Sequence, residues 1–223
     1  MTRVNDQNNP RDSRGISDFD RRQRFAASGV YQLPFLANSQ GLEKAALSGW
    51  EASGVIILQG GEPFTLFDPS GCGEYALESP SSTATFSSGF GCANAPSQGG
   101  VTARLTNWVN PAAYQSDPVA TLSNGNPSDA TLYGNTPRNC IIGPPQKNVD
   151  FTLGKVFRLG ERQGLRFRAD FFNLFNHPSF ANPAAPAIAP VTVNGSQVLG
   201  GYAPITSTVG TPRLIQFSLK YSF

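Results

Sequence analysis

The feature that most constrains this chain is an alternation of period two that recurs in five places. Leu165, Phe167, Ala169 and Phe171 alternate with Arg166, Arg168 and Asp170. At 180° per residue the polar side chains fall on one face, whereas at the 100° of a helix they scatter around the axis, so the run is a strand. The same reading puts Phe25, Ala27, Gly29, Tyr31, Leu33 and Phe35 on one face of a strand over 24–35. Trp50, Ala52, Gly54, Ile56 and Leu58 share a face of 50–59, and Val149, Phe151, Leu153 and Phe157 share a face of 148–157 with Lys155. Another strand runs over 165–175, and a last one over 213–223 carries Ile215, Phe217, Leu219, Tyr221 and Phe223 on one face. Each is about 10 residues, or roughly 33 Å at the strand rise.

The connections alternate in length. They are short (36–48), long (66–146), short (158–164) and long (176–211). A transmembrane β-barrel has this form, with short periplasmic turns and longer outer loops. A Greek-key sandwich has no reason to alternate in this way. The predicted fold is therefore all-β: an antiparallel meander of about five long strands, an incomplete transmembrane β-barrel with its long loops on one side. Residues 1–20 read as a polar loop or tail, and 21–223 as the barrel segment. If the short turns are periplasmic, the strand at 213–223 runs inward and ends at the periplasmic rim. Bacterial barrels start at eight strands and use even numbers, and open edges in lipid leave backbone groups unpaired. The chain is thus expected to be the C-terminal part of a larger barrel, with any signal peptide far upstream of Met1.

Composition excludes several alternatives. Only 14% of residues are charged, while the chain holds 23 Gly, 18 Pro and 16 Phe. That mix disfavours a helical bundle or coiled coil. A net charge of +2 gives no electrostatic case for a nucleic-acid partner. No apolar run of 18 residues marks a transmembrane helix. The inventory also lacks a catalytic constellation. His177, the one histidine, sits in FNLFNHPSF and reads as a turn residue. Cys72, Cys92 and Cys140 form no CxxC pair, and Glu74 and Glu78 lie in a Gly/Ser-rich stretch without apolar support. No GxxxxGK[ST], GxGxxG or HExxH is found at a strand–helix junction. We therefore expect no enzyme, no cofactor and no metal, and assign no catalytic or binding residue.

Within a barrel, Arg166, Arg168, Asp170, Gln216 and Lys220 face the lumen as wall polarity that solvates the interior or packs on a plug. Tyr221 and Phe223 at the inner end, Phe171 and Phe175 toward the outer end, and Trp50 and Phe157 near the short turns stand where interfacial aromatic girdles belong. Lys155 falls on the lipid face by register. Two residues from Phe157 it lies near the rim, where it snorkels at a cost of about 0–1 kcal/mol.

Several runs of the chain form a recognisable set: Ser17-Asp18-Phe19-Asp20-Arg21-Arg22-Gln23-Arg24-Phe25, Tyr31-Gln32-Leu33-Pro34-Phe35, Gly49-Trp50 and Gly61-Glu62-Pro63-Phe64-Thr65. It continues through Asn107-Trp108-Val109-Asn110-Pro111-Ala112-Ala113-Tyr114, Asn135-Thr136-Pro137-Arg138-Asn139 and Gly143-Pro144. The most specific runs are Phe167 through Pro178, with its FNLFNHP core, and the terminal strand from Pro212 to Phe223. Through these runs, over residues 16–223, the chain resembles the C-terminal barrel of Oar-like TonB-dependent receptors. Gln23 departs from the histidine expected there. The resemblance implies a cell outer-membrane location, an upstream plug coupled to the TonB system, and uptake of a solute that the sequence does not name. It also implies recognition of the terminal Phe223 by the barrel-assembly machinery. The loops at 66–146 and 176–211 would contribute to ligand capture or gating. In such an outer loop Cys72 and Cys92, twenty apart, are candidates for a disulfide worth about 3 kcal/mol in the chain-entropy model; Cys140 is left over and the pairing stays open. Two other readings stand beside this one. The first is a non-transporting adhesin or structural surface protein on the same barrel. The second is a secreted β-sandwich that stacks sugars on Trp50, Trp108 and Tyr114.

Overall fold

The computed structural model describes residues 9, 11, 14–34, 48–68, 82–115, 117–121, 123–160, 162–183, 189–193, 196–200 and 203–223. The chain forms two compact units. One comprises residues 23–60, 145–179 and 209–223, the other 1–22, 61–144 and 180–208.

The first unit is a single five-stranded antiparallel sheet. Its long strands, numbered here in chain order, are β1 (Arg24–Gln32), β2 (Trp50–Gln59), β3 (Gln146–Arg158), β4 (Gly164–Phe172) and β5 (Leu214–Ser222). Their order in the sheet is their order in the chain, so it is a meander. Residues of period two and high β-propensity form these strands, and the hairpin between β3 and β4 is closed by the Leu159 amide donating to the Gln163 carbonyl at 3.0 Å. Among the described residues the sheet is open: β1 and β5 each pair on one side only, and every residue of both is exposed. A single layer has no dry interior, so Phe217 and Leu219 remain 67% and 65% exposed.

The five predicted strands are all present, with ends shifted by a few residues. The predicted strand at 165–175 stops at Phe172 because Asn173 and Asn176 adopt left-handed backbone conformations, with φ of 49° and 51°. Asparagine tolerates this region better than most residues, and the chain turns there. Phe175 consequently lies in the turn, beyond the strand. Most of the short connection predicted over 36–48 lies outside the described residues, as do Cys72, Glu74 and Glu78.

The second unit corrects the reading of 66–146 as one long loop. It has its own apolar core, in which Leu66, Ala84, Ala95, Val109, Ala113 and Ile141 are fully buried and Trp108 nearly so. Two-residue strand pairs stitch it together: Pro63–Phe64 with Ile141–Ile142, Phe67–Asp68 with Ser82–Thr83, and Thr85–Phe86 with Tyr114–Gln115. Gly134 allows the tightest approach, since a β-carbon there would meet the Thr83 carbonyl oxygen at 1.6 Å. A disulfide joins Cys92 to Cys140. The candidate pairing of Cys72 with Cys92 is thereby overturned, because Cys140 sits at the edge of the core beside Ile141 and takes Cys92 as its partner.

Candidate functional site: the two faces of the sheet

Register decides what the sheet presents. On one face the cross-strand rows read Gly29–Gly54–Phe151–Phe171–Ile215, then Tyr31–Ala52–Leu153–Ala169–Phe217, then Trp50–Lys155–Phe167–Leu219, then Phe157–Leu165–Tyr221. Apart from Lys155 and the phenol of Tyr31 and of Tyr221, these rows are apolar across the whole sheet. The opposite face reads Val30–Ser53–Thr152–Asp170–Gln216, then Gln32–Glu51–Gly154–Arg168–Ser218, then Val156–Arg166–Lys220. A slip of one residue at any pairing would mix the two sets, so the segregation itself fixes the register.

Aromatic rings gather near the short connection between β3 and β4. Trp50 meets Phe167 edge-on at 6.2 Å between ring centres, Phe167 stacks on Phe217 at 6.3 Å, and Tyr221 stacks on Phe223 at 5.9 Å. Lys155 belongs to this cluster. Its ammonium lies 5.4 Å from the centre of the Trp50 ring and 4.8 Å from that of Phe157. The side chain is 4% exposed, so the charge is held against aromatic faces, where the sequence led us to expect it to snorkel to water.

The polar face is internally bonded. The Asp170 carboxylate accepts from the Thr152 hydroxyl at 2.6 Å and from Arg168 Nε at 2.7 Å. Asp150 accepts from the Asn173 main-chain N–H at 2.9 Å. The Asn173 amide braces the turn after β4: its Oδ1 accepts from the His177 main-chain N–H, and its Nδ2 donates to the carbonyls of His177 and Thr211. Asn176 Oδ1 accepts from the Arg213 main-chain N–H. His177 is thus the turn residue that the sequence indicated, engaged through its backbone.

Beside that turn the polar face holds a cavity of about 580 Å³, lined by Ile57, Asn148, Asp150, Phe172, Leu214 and Gln216 from the strands, with turn residues at its rim. It lies at the end of the sheet from which both long connections depart, after Gln59 and after Phe172. No sequence pattern marked it, because its walls come from four strands and two turns.

The second unit contains a further polar cluster that the sequence did not reveal. Asp68 and Asp117 are both buried. Asp117 accepts from the Thr85 hydroxyl at 2.6 Å, and its main-chain N–H donates to the Asp68 carboxylate at 3.1 Å. Burial, reinforced by the neighbouring Asp68 charge, raises the Asp117 carboxyl to about 6. At the other edge of the unit, Asn139 and Arg138 both donate to Asp18 and hold its carboxyl below the usual range. Trp108 and Tyr114, the proposed sugar platforms of the sandwich reading, are core residues. Trp108 is 1% exposed and its Nε1 donates to the Ile142 carbonyl at 2.9 Å; Tyr114 is 3% exposed and stacks on Phe86. Burial raises the Tyr114 hydroxyl above its ordinary pKa. The open single sheet and these buried rings overturn the sandwich reading.

Comparison with protein families finds one match: the model of a family described as an outer membrane beta barrel domain covers residues 1–216. No curated protein and no solved structure matches the chain.

Proposed function

The chain belongs to the outer membrane beta barrel domain family, and from that premise we propose that it is the C-terminal part of a TonB-dependent transporter barrel in the cell outer membrane. It contributes barrel wall and outer connections to the uptake of a solute. The observation that carries the reading is the register: five strands segregate a face that is apolar but for Lys147, Lys155 and two phenols from a more polar one, and both long connections leave from the same end. An apolar surface of this extent suits hydrocarbon, and the opposite face suits a hydrated lumen or a plug.

Strand direction supports the incomplete-barrel part of the reading. Four successive antiparallel pairings leave β1 and β5 parallel to one another. A head-to-tail ring of identical copies would therefore join β5 to β1 in parallel, unlike the all-antiparallel bacterial barrels. Antiparallel closure takes an odd number of additional strands, at least three for the eight-stranded minimum. Those strands belong to the remainder of the barrel, whose plug would engage the TonB system.

Energy-dependent uptake tests this reading. In the source bacterium, deletion of the gene is expected to abolish uptake of one or more solutes, and a protonophore is expected to abolish it equally in the wild type. Uptake that persists under the protonophore indicates a passive pore. Unchanged uptake of every solute after deletion indicates the adhesin or structural protein.

A further inference from the structure

The geometry points to a subsite for a neutral polyhydroxylated solute, an oligosaccharide segment, in the cavity on the polar face of the sheet at its long-connection end. This inference rests on the transport reading and names the class of its solute.

Position comes first. Ile57, Asn148, Asp150, Phe172, Leu214 and Gln216 all belong to the cross-strand rows of the polar face, so in a barrel they line the lumen near the outer mouth. The cavity, at about 580 Å³, falls within the range of small-molecule sites.

Rigidity is the second point. The cavity rim is the turn in which Asn173 bonds to Asp150, His177 and Thr211, and Asn176 bonds to Arg213. These bonds tie the start of one long connection to its end and fix the wall before any ligand arrives, which lowers the entropic cost of binding.

The third point is chemistry. Asp150 is the charged side chain that the register puts on this face, Lys147 standing with Leu58 in the apolar rows, so the cavity offers no attraction to an anionic solute. It offers instead the amides of Asn148 and Gln216, each with a donor and an acceptor, and the Asp150 carboxylate as a further acceptor. Sugar hydroxyls also donate and accept, and pair with amides without desolvating a net charge. The Phe172 and Leu214 side chains, 38% and 54% exposed, supply apolar surface for the C–H face of a ring.

Titration calorimetry on the full-length protein in detergent micelles tests the proposal. Maltohexaose, cellohexaose and laminarihexaose serve as neutral probes, and polygalacturonate and citrate as anionic ones. At least one neutral probe is expected to bind, with Asn148→Ala and Gln216→Ala each weakening it about tenfold. Lys220→Ala, on the same face outside the cavity, is expected to leave binding unchanged. Heat-modifiable migration on gels confirms that each variant is folded. Preference for an anionic probe, neutral binding indifferent to both alanines, or no binding of any hexasaccharide overturns the inference. Failure of transport is distinguishable: uptake that survives the protonophore, with calorimetry as expected, removes the transport reading and leaves the subsite.

Discussion

Lys155 and Trp50 are direct partners across β3 and β2, and the lysine ammonium stands 5.4 Å from the centre of the indole ring. A cation on an otherwise apolar face is costly in hydrocarbon unless something shares its charge. Here two ring faces do so, the second being Phe157 at 4.8 Å. A double-mutant cycle should therefore show coupling. Trp50→Ala is expected to destabilise the folded protein more in the presence of Lys155 than in a Lys155→Met background, with a coupling of about 0.5–2 kcal/mol. Urea titrations in lipid vesicles measure it. Additive effects would show that the ring and the ammonium are neighbours without a shared energy.

The disulfide makes a prediction of connectivity and of magnitude. Non-reducing peptide mapping should recover Cys92 linked to Cys140. The bond closes a sequence separation of 48 residues, for which the chain-entropy model gives about 4 kcal/mol. The Cys92→Ser variant should accordingly lower the melting transition of the second unit. A recovered peptide joining Cys72 to Cys92 would contradict the structure.

Asp117 makes that unit sensitive to pH. Its carboxyl is raised from an ordinary 3.8 to about 6, so the folded form binds the proton more tightly than the unfolded form. Stability on this account is full below about pH 4, falls as pH rises from about 4 to about 6, and is level above. Roughly two pKa units correspond to a loss of about 3 kcal/mol at most. Thermal melts followed by Trp108 fluorescence in a Trp50→Phe background should show the decline. Asp117→Asn keeps an acceptor for Thr85, removes the charge and should flatten the curve. A profile unchanged by the substitution would place the pH dependence elsewhere.

Phe223 is 93% exposed and stacks on Tyr221. On the proposed reading this ring is what the barrel-assembly machinery would grip, and it adds little to the folding of the sheet. Removal of this residue is expected to reduce the amount of protein in outer-membrane fractions severalfold, while purified protein refolds into detergent as well as the intact chain does. Equal loss in both measurements would make the residue structural.

The long strands were legible because a period of two survives in sequence wherever one face is apolar and the other is not, as at Leu165 through Phe171. Even Lys155 was placed on its correct face by counting. The second unit was hidden for the opposite reason. The strand pairs around its core are two residues long, too short to show a period, and that core takes adjacent residues such as Trp108 and Val109. One local signal was present: Asn110 caps a single 3-10 turn through the Ala112 amide, with Pro111 in its first position. Motifs that carried the family resemblance turn out to be framing elements. Asn135 accepts from the Phe86 amide, Asn139 binds Asp18 and the Ile16 carbonyl, and Asn173 braces the turn after β4. Disulfide pairing and the Asp68–Asp117 contact were not legible, since both depend on where the chain folds back and not on spacing.

In the barrel wall Ile215, Phe217, Leu219 and Tyr221 face hydrocarbon, while Gln216, Ser218 and Lys220 face water. Spin labels placed one at a time along β5 in the full-length protein, reconstituted in vesicles, test it through their collision rates with oxygen and with a water-soluble nickel chelate. A period of two is expected, with oxygen favoured at the odd positions and nickel at the even ones. Nickel access at every position, or a pattern of opposite phase, would contradict it.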